Sequence, residues 1–245
     1  MRTSFSVSTY VAPEKPKMKV LVVGKSGSGK THLMGTYPSL LLVKTEEGLA
    51  TLRHLTGKLQ IIELSQKMDV YQEMLGLMSL LKNGTMDPMP ETLAIDSLVG
   101  LSYFMERNIA GEHKESMEWG QYSIHKNRMI TLLGRLCELP MNVIVSAVPG
   151  IVSDEASNTS EEHPNVAGNK EPPLIAPWFD EVYYLECEKS KRDEKEKYGE
   201  YVYVAYTKPR GLFKQAKTRY GLPIRIVDPS YNLFQSFWRS PHAKG

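Results

Sequence analysis

Short, unbroken apolar runs alternate with amphipathic stretches over most of this chain. The unbroken runs are typical of strands that are buried on both faces of a parallel sheet. Leu40–Val43 is such a run, and further strands are predicted at Met18–Val23, Gln60–Leu64, Thr92–Asp96 and Met141–Val148. The stretches with apolar residues three and four positions apart predict helices, which lie at Glu46–Leu55, Met68–Leu81, Ser97–Ile109 and Trp119–Leu139. This alternation predicts an α/β fold, with a mostly parallel central sheet and helices on both faces.

The later part of the chain departs from this alternation. Pro149–Pro177 has little periodicity, and we predict a long loop there that is either functional or disordered. Two further apolar runs, Asp180–Cys187 and Glu200–Thr207, predict a C-terminal β-hairpin. The segment between them, Glu188–Gly199, mixes basic and acidic residues, which is typical either of a nucleic-acid finger or of a solvated hairpin tip.

The two ends of the chain are predicted to lie outside the folded domain. Residues 1–17 are polar and contain two prolines, so we expect a loose lead-in segment. The regular pattern ends near Asp228, and residues 229–245 are predicted to form a C-terminal tail. One domain therefore covers residues 18–228, a length that can bury a large core.

Composition narrows the class of protein further. The chain has 245 residues, of which 41% are hydrophobic and 24% charged, with a net charge of +2. A charge so close to balance means that any nucleic-acid contact must come from a local basic patch. Residues 1–13 lack the apolar segment of a secretory signal, and no apolar run approaches the length of a membrane span. We therefore expect a cytoplasmic protein with no membrane partner.

The segment Gly24–Thr31 follows the first predicted strand and has the pattern G-x-x-x-x-G-K-T. This is the phosphate-binding loop, in which glycines let the backbone wrap around phosphate oxygens and N–H groups face the anion. Lys30 is expected to contact the β- and γ-phosphates, and Thr31 to bind Mg²⁺. A chance glycine-rich turn is the alternative, but the strand before it and the helical pattern after it disfavour that interpretation. The predicted nucleotide-binding residues are Gly24, Lys25, Ser26, Gly27, Ser28, Gly29, Lys30, Thr31 and His32.

Asp96 ends the predicted strand Thr92–Asp96 with a carboxylate. Because the carboxyl ends of parallel strands meet at one edge of a sheet, Asp96 is expected to lie close to the phosphate-binding loop. A carboxylate there can hold Mg²⁺ together with Thr31. Many strands end in aspartate, so this assignment depends on the complete loop at residues 24–31. The predicted ligands are therefore ATP and Mg²⁺.

Glu46 and Glu47 directly follow the strand Leu40–Val43, at the same predicted edge of the sheet. A glutamate at this position can polarise the water that attacks the γ-phosphate. The alternative is that both residues stabilise the start of the next helix through its dipole. We expect one of them to be the catalytic base, and we favour Glu46.

The most basic short stretch of the chain follows the predicted hairpin. Lys208 and Arg210 come first, directly after a strand end, and we expect them to reach a phosphate on a neighbouring subunit as arginine fingers do. Lys214, Lys217 and Arg219 come next, and we expect them to bind nucleic-acid phosphates. A basic, solvated loop is the alternative interpretation of the whole stretch.

Four segments of the chain resemble RecA-type recombinases. One is the phosphate-binding loop, and Leu93–Leu101 resembles the Asp-Ser segment of that family. Thr45–Leu49 resembles the acidic segment that carries the family's catalytic glutamate, which Glu46 matches. Lys208–Arg210 with Phe213–Ala216 resembles the segment whose paired cations contact ATP across the filament interface. In layout the chain is most similar to phage-encoded nucleotide-binding proteins with a minimal RecA core, some of which are single-strand annealing recombinases.

This resemblance implies a RecA-like P-loop NTPase core that hydrolyses ATP with Mg²⁺ and is stimulated by single-stranded DNA. It also implies a homo-oligomer, either a ring or a filament, in the cytoplasm of a phage-infected host. A single-strand DNA-binding protein would be a further partner. The family contacts DNA through the loop before the penultimate strand, which here is Gly150–Pro173. The implied contacts are Asn165, Gly168, Asn169 and Lys170.

The chain departs from the family in two places. The strand Met141–Val148 lacks the Gln, Asn or His with which relatives sense the γ-phosphate, and Ser146 is the substitute. The predicted DNA loop also carries acidic residues, which oppose DNA phosphates. Two other functions stay open: a small-molecule phosphotransferase, and a nucleotide-gated loader or binding module with little turnover.

Overall fold

In the described part of the chain, eight strands join into one central sheet. The computed structural model describes residues 17–47, 49–56, 58–64, 68–111, 117–154, 158–166, 175–189 and 201–238. The strands are β1 (Lys19–Gly24), β2 (Leu40–Lys44), β3 (Gln60–Glu63), β4 (Thr92–Asp96), β5 (Asn142–Ala147), β6 (Pro149–Asp154), β7 (Thr159–Pro164), β8 (Glu181–Lys189), β9 (Tyr201–Tyr206) and β10 (Arg225–Val227). The helices are α1 (Lys30–Met34), α2 (Val70–Asn83), α3 (Leu98–Ala110), α4 (Trp119–Cys137) and α5 (Tyr231–Trp238), with 3-10 helices at Leu49–Leu55 and Ala176–Trp178.

The central sheet is mostly parallel, as the apolar runs predict. Its order is β10-β9-β8-β1-β5-β4-β2-β3, and only β9 and β10 run antiparallel to their neighbours. Strands β8 and β9 form the predicted C-terminal hairpin, while the tip of that hairpin lies outside the described residues. Because β1, β2 and β4 are parallel, their carboxyl ends, which carry Gly24, Lys44 and Asp96, lie at one edge of the sheet. This edge is where the predicted nucleotide site must form.

Apolar side chains cover both faces of the sheet, which confirms the predicted layers. One face packs against α2, α3 and α4, through side chains such as Met74, Met105 and Leu133. The other face packs against α1, the 3-10 helix Leu49–Leu55 and α5. These layers hold α1 against the middle of the sheet, so the loop before it has a fixed position at the carboxyl edge.

A hairpin occupies part of the segment that is predicted to be an irregular loop. Strands β6 and β7 pair antiparallel, from Pro149 opposite Pro164 to Asp154 opposite Thr159. The backbone N–H of Glu162 also donates to the carbonyl of Leu212, at 3.0 Å, which joins the hairpin to the basic segment after β9. The expectation of a structureless loop from 149 to 177 is therefore wrong for this part of it.

The segment that is predicted to be a tail contains helix α5. Phe234 is fully buried in this helix, and its ring lies 5.0 Å from the ring of Tyr183 on β8. Tyr231 stacks obliquely on Tyr37, with 4.8 Å between ring centroids. Residues 231–238 are therefore packed against the sheet, and the described part of the segment is not a loose tail.

The position of His125 differs from the one that helical spacing predicts. Sequence periodicity places His125 on the polar face of α4, but the side chain is only 4% exposed. Its Nε2 lies 3.1 Å from the hydroxyl of Ser102 on α3, which provides the hydrogen bond that a buried imidazole needs. Burial lowers the pKa of His125, so the ring is neutral at pH 7 and does not belong to a charged surface.

Candidate functional site

A cavity of about 260 Å³ opens at the carboxyl ends of β1, β2 and β4. The phosphate-binding loop forms one wall of this cavity, and the segment after β2 forms the opposite wall. The residues that line it are Ser26, Gly27, Gly29, Lys30, Thr31, His32, Leu42, Lys44, Glu46, Glu47, Leu49, Thr51, Asp96, Ser97, Val148 and Tyr203. Sequence-predicted residues from three separate segments therefore meet in one cavity.

Two glycines give the loop its shape. Gly27 and Gly29 have φ angles of +78° and +90°, which residues with a Cβ rarely adopt. A Cβ on Gly27 would lie in open space, whereas a Cβ on Gly29 would lie 2.6 Å from Cδ1 of Tyr203. The Tyr203 ring also lies 5.4 Å from the ring of His32. Tyr203 therefore closes the loop from the side of β9, and the loop forms a cradle that only glycines allow.

The ammonium group of Lys30 lies inside the loop. Its Nζ donates to the carbonyl of Gly24 at 2.7 Å and to the carbonyl of Lys25 at 2.8 Å. Burial lowers the pKa of Lys30, and the carboxylates of Asp96 and Glu46 act in the opposite direction. An ammonium group has three N–H donors, so one donor is left that can bind a phosphate oxygen.

Other loop residues have their side chains outside the cavity. Ser28 is only 4% exposed, and a Cβ on Gly24 would lie 2.4 Å from its Oγ. The Ser28 side chain therefore packs beneath the loop, and its backbone N–H donates to Lys25 O at 3.2 Å. Gly24, Lys25 and Ser28 shape the loop, and within the described residues they are not part of the cavity lining.

The carboxylate of Asp96 is held by two hydroxyl groups. Thr31 Oγ1 donates to Asp96 Oδ2 at 2.7 Å, and Ser146 Oγ donates to Asp96 Oδ1 at 2.5 Å. The neighbouring strands β4 and β5 bring Asp96 and Ser146 together across 50 residues of sequence. Hydroxyl and carboxylate oxygens are the donors that Mg²⁺ prefers, so Thr31 and Asp96 fit the ion that the sequence predicts.

The two adjacent glutamates have different surroundings. Glu46 Oε1 accepts a short hydrogen bond from the Ser97 hydroxyl, directly beside Asp96. The Glu47 side chain is 93% exposed and pairs with Lys44 at 3.0 Å. Lys44 also pairs with Glu63 at 3.3 Å, so its charge is already compensated on β2 and β3. Of the two glutamates, Glu46 is the one that is hydrogen-bonded to Ser97, the residue next to Asp96.

Lys208 and Arg210 do not lie in the cavity that the described residues form. Strand β9 ends at Tyr206, which lies opposite Tyr184 of β8, and Lys208 and Arg210 follow that end. Arg210 instead pairs with Glu186 at 3.0 Å and lies over the ring of Tyr206, 4.2 Å from its centroid. Within one subunit these two cations therefore do not line the nucleotide cavity.

The residues that we predict to bind DNA are spread over the molecule. The backbone of Lys217 pairs with Val182 near the amino end of β8, and Arg219 donates to Asp180 at 2.7 Å. Lys214 is exposed, and the N–H of Asn165 donates to Val148 O at 2.8 Å, close to the cavity. Gly168, Asn169 and Lys170 lie outside the described residues. Lys217 and Arg219 are thus at the opposite edge of the sheet from the nucleotide cavity.

The described ranges contain neither a helix that could cross a membrane nor a cluster of metal-ligating side chains. None of the helices in those ranges combines the length and the apolar character that crossing a membrane requires. Among the same residues, three or more His, Cys, Asp or Glu side chains do not cluster as ligands of a metal ion.

The fold and the cavity define a class of protein, a P-loop NTPase domain with a mostly parallel central sheet. The model of the AAA domain family matches residues 16–220, and the chain belongs to this family. Among curated proteins, none is significantly similar to the chain in sequence.

The chain is similar to two solved structures of low sequence identity. An ATPase from the type III secretion system of pathogenic bacteria is 13% identical, with a TM-score of 0.46 over 69% of this chain and 52% of that one. A KaiC-like protein from the hyperthermophilic archaeon Pyrococcus horikoshii is 16% identical, with a TM-score of 0.45 over 86% of this chain and 90% of that one. The chain therefore spans about half the length of the first of these proteins.

Proposed function

We propose that this protein binds ATP together with Mg²⁺ and hydrolyses it. One observation carries the proposal: Lys30, Asp96 and Glu46 line a single cavity, although they come from three separate segments. Thr31 joins this set through its hydrogen bond to Asp96. A phosphate-binding cation, a pair of magnesium ligands and a carboxylate base are the groups that phosphoryl transfer to water requires.

Each of these residues has a separate task in the proposed reaction. The N–H groups of the glycine loop and the remaining donor of Lys30 bind the phosphate oxygens. Thr31 and Asp96 would hold Mg²⁺, which neutralises negative charge on the β- and γ-phosphates when it is bound. Glu46 accepts a proton from the attacking water while the new P–O bond forms and the bond to the leaving ADP oxygen breaks.

Two substitutions test binding and chemistry separately. Lys30→Ala should abolish ATP binding with little loss of thermal stability, because Nζ contacts only two loop carbonyls. Glu46→Gln keeps the size of the side chain but removes the base, so ATP should still bind while turnover falls about a hundredfold or more. Glu47→Gln is the matched control, since its side chain is 93% exposed and pairs with Lys44. Undiminished hydrolysis by Lys30→Ala would refute the proposed site.

We further propose that this ATPase acts on single-stranded DNA, in annealing or strand pairing during phage replication, as a ring or filament of identical subunits. The resemblance of four segments to RecA-type recombinases supports this proposal. In it, Lys208 and Arg210 contact ATP bound by the neighbouring subunit, while Lys214, Lys217 and Arg219 bind DNA phosphates. The cytoplasm of the host cell would be the site of action, and a single-strand DNA-binding protein would be an additional partner.

Steady-state hydrolysis with and without single-stranded DNA separates this proposal from its alternatives. A DNA-stimulated ATPase should turn over faster when the DNA is added. Tight ATP binding with negligible turnover in both conditions would instead support a nucleotide-gated loader. Turnover that requires a small phosphate acceptor and ignores DNA would support a phosphotransferase. The DNA-binding role also predicts that loss of Lys214 lowers the salt dependence of DNA affinity by about one unit of slope.

A further inference from the structure

Thr45 and Ser97 tie the carboxyl ends of β2 and β4 together. The Thr45 hydroxyl accepts from the backbone N–H of Ser97 at 2.7 Å and donates to the Ser97 carbonyl at 2.9 Å. The N–H of Thr45 donates to Asp96 O at 3.0 Å. We call these contacts the Thr45–Ser97 clasp. The clasp fixes Ser97, which directly follows Asp96 in the chain and whose hydroxyl contacts Glu46.

Helix α3 holds the other side of Ser97. Ser97 precedes the helix as its N-cap, and its Oγ accepts from the N–H of Gly100 at 3.4 Å. A Cβ on Gly100 would lie only 2.3 Å from Thr45 Oγ1, so the first turn of α3 presses directly on the clasp. With its lone pair directed at the helix, the Ser97 hydroxyl directs its proton at Glu46 Oε1. Ser97 is 1% exposed, and it therefore has little freedom to turn away.

Glu46 depends on this contact for its orientation. It is an exposed residue at the mouth of the cavity, and an exposed glutamate samples several rotamers unless a hydrogen bond selects one. We propose that Ser97 is a positioning residue for Glu46, and that the clasp sets the direction of its hydroxyl. With Oε1 occupied by the Ser97 proton, Oε2 is the oxygen that takes the proton of the attacking water. This inference rests on the proposed hydrolysis of ATP.

A purely structural role is the competing account, because an N-cap serine also stabilises its helix. Loss of a cap costs stability whether or not Glu46 is present, whereas a positioning residue acts only through Glu46. The decisive experiment is therefore a double-mutant cycle that combines Ser97→Ala with Glu46→Gln. Ser97→Gly provides a second variant, since glycine is nearly as good an N-cap but has no hydroxyl. Ser102→Ala, in the same helix but bonded to His125, is the matched control.

We expect Ser97→Ala and Ser97→Gly to lower kcat about tenfold or more, with the Kd for ATP within about twofold of wild type. In the Glu46→Gln background, the same substitutions should change the residual turnover by less than about twofold. Ser102→Ala should leave kcat unchanged. The inference is overturned if kcat survives loss of the Ser97 hydroxyl, or if the same loss persists in the Glu46→Gln background. A wild-type protein that does not hydrolyse ATP refutes the proposed function itself, and the role of Ser97 with it.

Discussion

The contact between Gly29 and Tyr203 gives a quantitative test of the phosphate-binding loop. Gly29→Ala introduces two separate costs, because the residue has φ +90° and because its Cβ would lie 2.6 Å from Tyr203 Cδ1. A left-handed conformation costs an L-residue roughly 1–2 kcal/mol. Overpacking against the Tyr203 ring adds roughly 1–3 kcal/mol. We therefore expect Gly29→Ala to lower the free energy of unfolding by about 2–5 kcal/mol.

A matched glycine in the same loop separates the two costs. Gly27 has φ +78° but a Cβ there would meet nothing within 4 Å, so Gly27→Ala should cost only roughly 1–2 kcal/mol. Urea denaturation of both glycine variants, each made in the wild-type and in the Tyr203→Ala background, measures the steric part of the cost. The excess cost of Gly29→Ala should disappear once the Tyr203 ring is removed, while the cost of Gly27→Ala should not change.

The reasoning fails if Gly29→Ala is no more destabilising than Gly27→Ala. It also fails if the excess persists in the Tyr203→Ala background, because the ring would then not be the obstacle. ATP affinity provides an independent measurement in the variants that keep Tyr203. Each 1.4 kcal/mol of free energy that is required to restore the binding conformation of the loop should raise the Kd for ATP about tenfold.

Three further substitutions test other parts of the molecule. In the wild type, Tyr183 Oη donates to one oxygen of the buried Glu181 carboxylate at 2.8 Å, and Thr218 Oγ1 and the N–H groups of Arg219 and Tyr220 donate to the other. Glu181→Gln turns one of these acceptors into an NH2 donor and should cost about 1–3 kcal/mol in a denaturant titration; an unchanged midpoint contradicts this. Tyr203→Ala should weaken ATP binding roughly tenfold if the ring stacks on the base, and an equal loss for inorganic triphosphate would argue against stacking. Lys208→Ala should remove ATPase activity without changing DNA affinity at low salt, and wild-type activity per subunit should rise with protein concentration. Concentration-independent turnover contradicts that role.

The inner strands of the central sheet could be predicted because they are buried on both faces. Burial on both faces favours apolar residues, so a run such as Leu40–Val43 is unbroken and short, and strand β2 extends that run only to Lys44. The periodicity of α2 and α3 was equally clear, since each helix buries one stripe against the sheet. Elements that obey one burial rule along their whole length can be located from sequence to within a residue or two.

Elements with unusual burial could not be predicted in this way. Strand β7 reads Thr-Ser-Glu-Glu-His-Pro and is mostly exposed, so it has no apolar alternation to detect. His125 is buried because Ser102 on a neighbouring helix offers a hydrogen bond, which helical spacing cannot reveal. Helix α5 is only eight residues long and follows a non-helical stretch, so its segment was predicted to be a C-terminal tail. In each case the deciding partner lies elsewhere in the chain.

In the candidate site, too, the features formed by contiguous residues could be predicted, whereas contacts between distant segments could not. The phosphate-binding loop is contiguous, so its pattern alone predicts a phosphate cradle. The contacts that Ser97 and Ser146 make with Glu46 and Asp96 span 51 and 50 residues. These contacts form because β4 lies between β5 and β2 in the sheet. The order of strands in a sheet cannot be predicted from the local periodicity of the sequence. Tyr203 likewise contacts the phosphate-binding loop because of tertiary structure, since β9 pairs antiparallel with β8.

The ion pair of Arg210 bears on the proposed contact between subunits. Arg210 is 3.0 Å from Glu186, and its side chain is 45% exposed. An exposed pair of this kind contributes at most about 1 kcal/mol, so a phosphate of higher charge can displace Glu186 at small cost. Lys208, in the described part of the chain, is exposed and has no ion-pair partner, so it needs no such exchange. If both residues act in trans, loss of Glu186 should therefore strengthen the contribution of Arg210 and leave that of Lys208 unchanged.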